Sequence, residues 1–134
     1  MTEPVTFDAS VLVSAFTPGE PFHEASKAFV QSVRAAGTPM ICPALIIPEI
    51  AAAIARGQGQ PERGLAFAEE VANLPNLTLI DLDKSLARLA AETAVAHKLR
   101  ASDAVYVAVS LRFATSLVTL DREQLERFQQ AVRP

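Results

Sequence analysis

Four short β-branched runs alternate along the chain with longer stretches whose apolar residues recur at helical spacing. The runs are "VTF" near 5–7, "PMICP" near 39–43, "LTLID" near 77–81 and "SLVTL" near 116–120. Each has the length and the Val, Ile, Leu and Thr content of a buried strand. The segments between them are rich in Ala and Leu at i, i+3, i+4 intervals, of which Leu86, Leu89, Ala90 and Thr93 are one set. This alternation predicts an α/β fold, a three-layer sandwich with a central, mostly parallel sheet flanked by helices. No repeat, low-complexity segment or charge block interrupts it. The longest Gly/Pro-rich stretch, "RGQGQPERG" at 56–64, reads as a loop, and the chain reads as a single domain over 1–134.

Composition supports a chain that folds by its own core. Of 134 residues, 50% are hydrophobic and 20% charged, and a chain of this length buries roughly two thirds of its unfolded surface. A single cysteine, Cys42, excludes an intrachain disulfide, and in "MICPALII" it reads as a small buried hydrophobe. There is no charged leader followed by an apolar core, and no run of 18 apolar residues. The expectation is a soluble, cytoplasmic protein with no membrane role. A net charge of −3 argues against avid nonspecific nucleic-acid binding. A basic cluster or a bound cation can still reverse the sign on one face, so charge does not decide the substrate.

Two of the apolar runs lead directly to an aspartate: Asp8 follows "VTF" and Asp121 follows "SLVTL". In parallel sheets ligands gather outside the carboxyl ends of the strands, so two strands can bring these carboxylates to one cleft. Asp between strand and helix is also a common N-cap, which leaves both readings open for either residue alone. Glu49 stands in "ALIIPEIAAAIAR", where every neighbour within five residues is apolar or proline, and Asp103 opens the apolar stretch "SDAVYVAVSL". A carboxylate with no polar face to join points into a cleft or forms a narrow exposed stripe. Glu69, Glu70, Glu123 and Glu126 lie in mixed-charge segments and read as solvated. Asp81 and Asp83 read as caps of a helix starting near Lys84. His23 and His97 are far apart in sequence and read as helix-surface residues, so zinc is not expected.

The pieces "VTFDASVLVSAF", "LIIPEIAAAI", "LRASDAVYVAVSL" and "SLVTLDREQL", in that order and spacing, resemble a PIN domain. The compact size is similar to the VapC-type toxins of bacterial and archaeal toxin–antitoxin pairs. Family members finish with a further strand, whereas only "QQAVRP" follows Phe128 here, so that strand is left open. The resemblance implies a metal-dependent endoribonuclease in which Asp8, Glu49, Asp103 and Asp121 hold the ion. The chemistry agrees: two carboxylates ~4 Å apart repel by roughly 4 kcal/mol at an effective dielectric of 20. Oxygen donors suit Mg²⁺ or Mn²⁺, which activates water for in-line attack on a phosphodiester and leaves a 5′-phosphate.

Ser10, two residues after Asp8, is given by the resemblance a role ordering the metal or its water. Thr119 shares a strand face with Asp121 if the strand continues through it, and reads as a supporting contact. Arg100 and Arg122 are candidates for phosphate contact. Leu12, Val13, Phe16, Phe22, Phe29, Ile46, Ile47 and Ile54 exceed what one helix face needs, so some are expected at an interface. The resemblance implies a homodimer and a cognate antitoxin whose C-terminal segment reaches the acidic cleft, besides the RNA substrate. Two other functions compete: a noncatalytic PIN-like binding module, and a phosphoacceptor receiver domain with Asp81 as acceptor. The second lacks the acidic pair after the first strand and the late lysine it needs.

Overall fold

The computed structural model describes residues 3–134. It runs β1 (Val5–Phe7), α1 (Ala9–Ala15), α2 (His23–Ala36), β2 (Met40–Pro43), α3 (Ile46–Gln58) and α4 (Pro61–Ala72). It continues through β3 (Leu77–Ile80), α5 (Lys84–His97), α6 (Ala101–Phe113), β4 (Ser116–Val118), α7 (Arg122–Arg127) and β5 (Ala131–Val132). All strand pairs are parallel, in the order β3-β2-β1-β4-β5. The first two crossovers step outward from β1 through β2 to β3, and the next returns past β1 to β4. Because such crossovers are right-handed, this reversal puts α5 and α6 on the opposite face from α1–α4. The result is the expected three-layer α/β architecture.

Except for β1, which matches its run, the first four strands are shorter than their apolar runs. β4 ends at Val118, so Thr119 lies beyond the strand, and β2 and β3 each lose one terminal residue of the expected span. The final edge strand does form: Ala131 and Val132 pair with Leu117 and Val118. Two residues suffice because β4 supplies the ladder, with Leu117 N donating to Gln130 O and Thr119 N to Val132 O.

The stretch 56–64 is not a loop. Its glycines and proline are helix punctuation: Gly59 ends α3 at φ 62° and Pro61 opens α4, the positions where those residues are favoured. Gly64 then lies so close to α3 that a Cβ there would stand 2.5 Å from Ala51 O. The apolar residues of α1–α3 are also mostly spent. Leu12, Ile46 and Ile54 are buried, Val13, Phe29 and Ile47 pack partly against the core, and only Phe16 and Phe22 remain exposed. α1 contacts both α2 and α3, and α3 contacts α4, so these helices bury more than one face. α6 goes further, with Asp103 to Ser110 buried without a break between α5 and the sheet.

Cys42 is fully buried, and burial pushes its thiol up to about 12, which makes it inert. Among the described residues no helix is long and apolar enough to cross a membrane.

Candidate functional site

The strand order reverses between β1 and β4, and the crevice beyond their carboxyl ends is where an open parallel sheet presents loops and helix N-termini to a ligand. Phe7 pairs with Val118, so the residues that follow, Asp8 on one side and Thr119 to Asp121 on the other, start side by side. Glu49 enters from the first turn of α3 and Asp103 from the first turn of α6. These four carboxylates line one cavity of about 700 Å³, together with Ser10, Arg100, Ser102, Glu20 and Arg56, and with apolar walls that include Val13, Leu45 and Pro48.

The capping alternative separates the aspartates. Asp8 occupies the N-cap of α1 yet makes no side-chain cap bond; its Oδ2 instead accepts from Ser10 Oγ at 2.8 Å. Asp103 lies inside α6, and the N-cap there is Arg100. Asp121 does both jobs: Oδ1 caps α7 by accepting from Gln124 N at 2.9 Å, and Oδ2 faces Arg100. Asp83 caps α5, as the sequence suggested, while Asp81 is exposed.

Electrostatics mark the cavity as short of positive charge. Asp8, only 8% exposed, has its carboxyl raised from 3.8 to about 6, first by burial and then by Glu49 and Asp103, against the hydroxyls of Ser10 and Thr119. Asp103 is raised by burial and by Asp121, partly offset by Arg100. Arg100 is the cation at hand, with Nε 3.0 Å from Asp103 Oδ2 and Nη2 3.4 Å from Asp121 Oδ2, on a side chain 71% exposed. Arg122 is exposed and does not line the cavity.

Several groups were not legible in the sequence. Tyr106, fully buried on α6, donates its hydroxyl to Glu49 Oε1 at 2.5 Å. Gln124, also fully buried, accepts from Thr119 Oγ1 at 2.6 Å and donates from Nε2 to Asp103 O at 3.3 Å. Thr119 Oγ1 lies 3.2 Å from Asp8 Oδ2 and accepts from Asp121 N at 2.9 Å. The pattern D-x-x-Q at 121–124 signals a capping box, in which the Gln side chain returns to the cap's own N–H. Here Thr119 takes that N–H and Gln124 turns inward. The histidines are half-buried rather than on the surface: His23 Nδ1 is 2.8 Å from Ser14 O and His97 Nδ1 2.8 Å from Arg127 O. Neither lines the cavity.

Among the described residues no three of His, Cys, Asp and Glu stand close enough to form a ready-made metal cage. The donor set still fits a hard cation. It is all oxygen, and the neighbouring carboxylates raise the proton affinity of Asp8 and of Asp103. Mg²⁺ and Mn²⁺ bind through a few carboxylates, with waters and substrate phosphate completing the shell.

The family model described as PIN domain matches residues 5–130. Among solved structures, the chain is similar to VapC20 of Mycobacterium tuberculosis, described as a Sarcin-Ricin loop cleaving toxin. That match has 19% identity and TM-score 0.75, covering 97% of this chain and 99% of that one. It is also similar to a chain of a toxin–antitoxin complex from Klebsiella pneumoniae, at 19% identity and TM-score 0.70, covering 97% of each. A third likeness is to a chain of VapBC2 from Rickettsia felis bound to a DNA fragment from their promoter, at 10% identity and TM-score 0.69, covering 99% and 98%. Among curated protein sequences, none matches.

Proposed function

The chain belongs to the PIN domain family, and from that premise we propose that it is a Mg²⁺- or Mn²⁺-dependent endoribonuclease, the toxin of a VapBC-type toxin–antitoxin pair. The observation that carries this reading is the convergence of Asp8, Glu49, Asp103 and Asp121, from four separate elements, on one cavity at the switch point of the sheet.

In this reading the four carboxylates would hold the ion, once Arg100 turns away from Asp103 and Asp121. Ser10 occupies Asp8 Oδ2 and Tyr106 occupies Glu49 Oε1, which fixes both carboxylates and leaves the other oxygen of each for the cation. When bound, Mg²⁺ or Mn²⁺ lowers the pKa of a water to supply hydroxide and offsets charge on the leaving oxygen. Arg100, exposed and already beside two carboxylates, is placed to turn toward a phosphate entering the cavity. Arg122 reaches a phosphate only along the outer rim. No side-chain nucleophile is required.

The neighbours in structure, a Sarcin-Ricin loop cleaving toxin and chains of two toxin–antitoxin assemblies, support the same class. A cognate antitoxin, a homodimer and a cytoplasmic setting complete the proposal, and exposed Phe22, which lines the cavity, gives a partner segment an apolar anchor. One observation favours the noncatalytic module instead: Arg100 bridges Asp103 and Asp121 much as a cation would. The receiver reading is disfavoured, because Asp81 follows edge strand β3 and lies outside the cavity.

The test is direct. Millimolar Mn²⁺ should raise the melting temperature of the wild type, since a ligand of the folded state stabilises it by mass action, and Asp8→Asn should abolish most of the rise. The protein should cut single-stranded or looped RNA in Mn²⁺ and stop in EDTA. Unchanged melting together with no cleavage would leave the noncatalytic module.

A further inference from the structure

We propose that Gln124 is a positioning residue that sets the spacing of Asp8, Asp103 and Asp121, acting as a buried cross-brace between α7, α6 and the segment that follows β4; the inference rests on the nuclease reading of those carboxylates. Gln124 is 0% exposed, yet it carries a primary amide. An apolar side chain of equal volume would fill the same space without the desolvation penalty of an amide, so its polar ends need a purpose.

Each end has one. Oε1 accepts from Thr119 Oγ1 at 2.6 Å and Nε2 donates to Asp103 O at 3.3 Å, while the backbone N, whatever the side chain, donates to Asp121 Oδ1 at 2.9 Å. The amide cannot be turned round, because a carbonyl at Asp103 accepts only from the NH₂ end. Nor does it rescue an orphaned group: Asp103 O lies in the first turn of α6, where the helical ladder already supplies a donor. The bond therefore ties the position of α6 to that of α7.

Thr119 extends the brace to Asp8. Its hydroxyl has one proton and two acceptors, Gln124 Oε1 at 2.6 Å and Asp8 Oδ2 at 3.2 Å, while its oxygen accepts from Asp121 N. The proton is shared between them, with the shorter contact to Gln124 the stronger arm. Gln124 thereby fixes the rotamer of the hydroxyl that stands between Asp8 and Asp121, and one side chain controls three carboxylates brought together from remote parts of the chain. Partners that orient ligands in this indirect way commonly change metal affinity or activity by about 10- to 100-fold when removed.

The test uses Gln124→Met, Thr119→Val and the double variant, with Mn²⁺ affinity by calorimetry without RNA, kcat and KM on single-stranded RNA, and melting. Gln124→Met should bind Mn²⁺ about 10- to 100-fold more weakly, with kcat reduced and KM for RNA unchanged. The double variant should lose less than the sum of the two single variants, because they share the contact between Thr119 and Gln124. A folded Gln124→Met with wild-type Mn²⁺ affinity and kcat would overturn the brace. If that variant does not fold, Thr119→Val removes the hydroxyl that Gln124 Oε1 holds; wild-type Mn²⁺ affinity in it would overturn the brace equally. A wild type that neither binds Mn²⁺ nor cuts RNA sinks the nuclease reading and the brace together, whereas an active wild type beside unaffected variants sinks the brace alone.

Discussion

Tyr106 donates its hydroxyl to Glu49 Oε1 at 2.5 Å across 57 positions of sequence, joining α6 to α3. Burial first, then Asp8 and Glu49, push its phenol far above the ordinary value of 10, so the proton stays and the group remains a donor. Tyr106→Phe should therefore lower stability by about 1.5–3 kcal/mol, the range for a lost hydrogen bond to a charged group. Urea denaturation measures this, and Mn²⁺ affinity should fall alongside. A variant equal to wild type in both would mean that Glu49 is held by other contacts.

Asp8 gives a pH dependence whose direction follows from its raised carboxyl. The folded protein holds this proton more tightly than the unfolded chain, so the contribution is fully present below pH 3.8 and is lost as pH rises through about 6. The rise corresponds to about 3 kcal/mol. In EDTA, the stability advantage of Asp8→Asn over wild type should grow from near zero at pH 3.5 toward that figure at pH 7. A gap that does not change with pH, measured by urea denaturation, would contradict the burial argument.

Asp121 combines a cap with a cleft carboxylate, and two substitutions separate the jobs. Asp121→Asn keeps an acceptor for Gln124 N and should melt near the wild type, while losing nuclease activity by orders of magnitude under the proposed function. Asp121→Ala should lose activity and about 1 kcal/mol of stability. Glu123→Ala, which removes only an exposed pairing with Arg127 at 3.5 Å, should leave activity unchanged. Equal activity in all three would remove Asp121 from the chemistry.

Gly64 tests the packing of α3 on α4 independently of the site. A methyl group there meets backbone at 2.5 Å, which cannot yield as a side-chain tip can, so Gly64→Ala should destabilise by about 1–3 kcal/mol. Helix propensity alone would make the same change stabilising by up to about 1 kcal/mol, so the sign of the change in melting temperature decides between them.

The sequence made the sheet and the acidic set legible for physical reasons. Short β-branched runs have few alternatives to a buried strand, and a lone carboxylate amid apolar neighbours, as at Glu49 and Asp103, must find either water or a partner. Local signals failed where tertiary packing decides. Gly59 and Pro61 read as a loop because their capping roles depend on the helices they separate. Leu12, Ile46 and Ile54 read as surplus because one-face amphipathicity does not describe helices packed on two sides. Gln124 was invisible for a related reason: it lies in a polar stretch, and its departure from the capping-box pattern depends on Thr119 taking the expected N–H.

The parallel order β3-β2-β1-β4-β5 also has a temporal consequence. The site joins residue 8 to residues 49, 103 and 121, and the contact between Thr119 and Asp8 spans 111 positions. Contacts of such high sequence separation form only after long loops have closed. During synthesis, an emerging chain presents Asp8 and Glu49 well before Asp103 and Asp121 exist, and β4 cannot insert beside β1 until α5 and α6 have been made. The ribosome that makes this protein therefore holds only half of the acidic centre for much of translation, and the proposed cleavage chemistry is silent toward the message and the ribosome until the last third of the chain has folded.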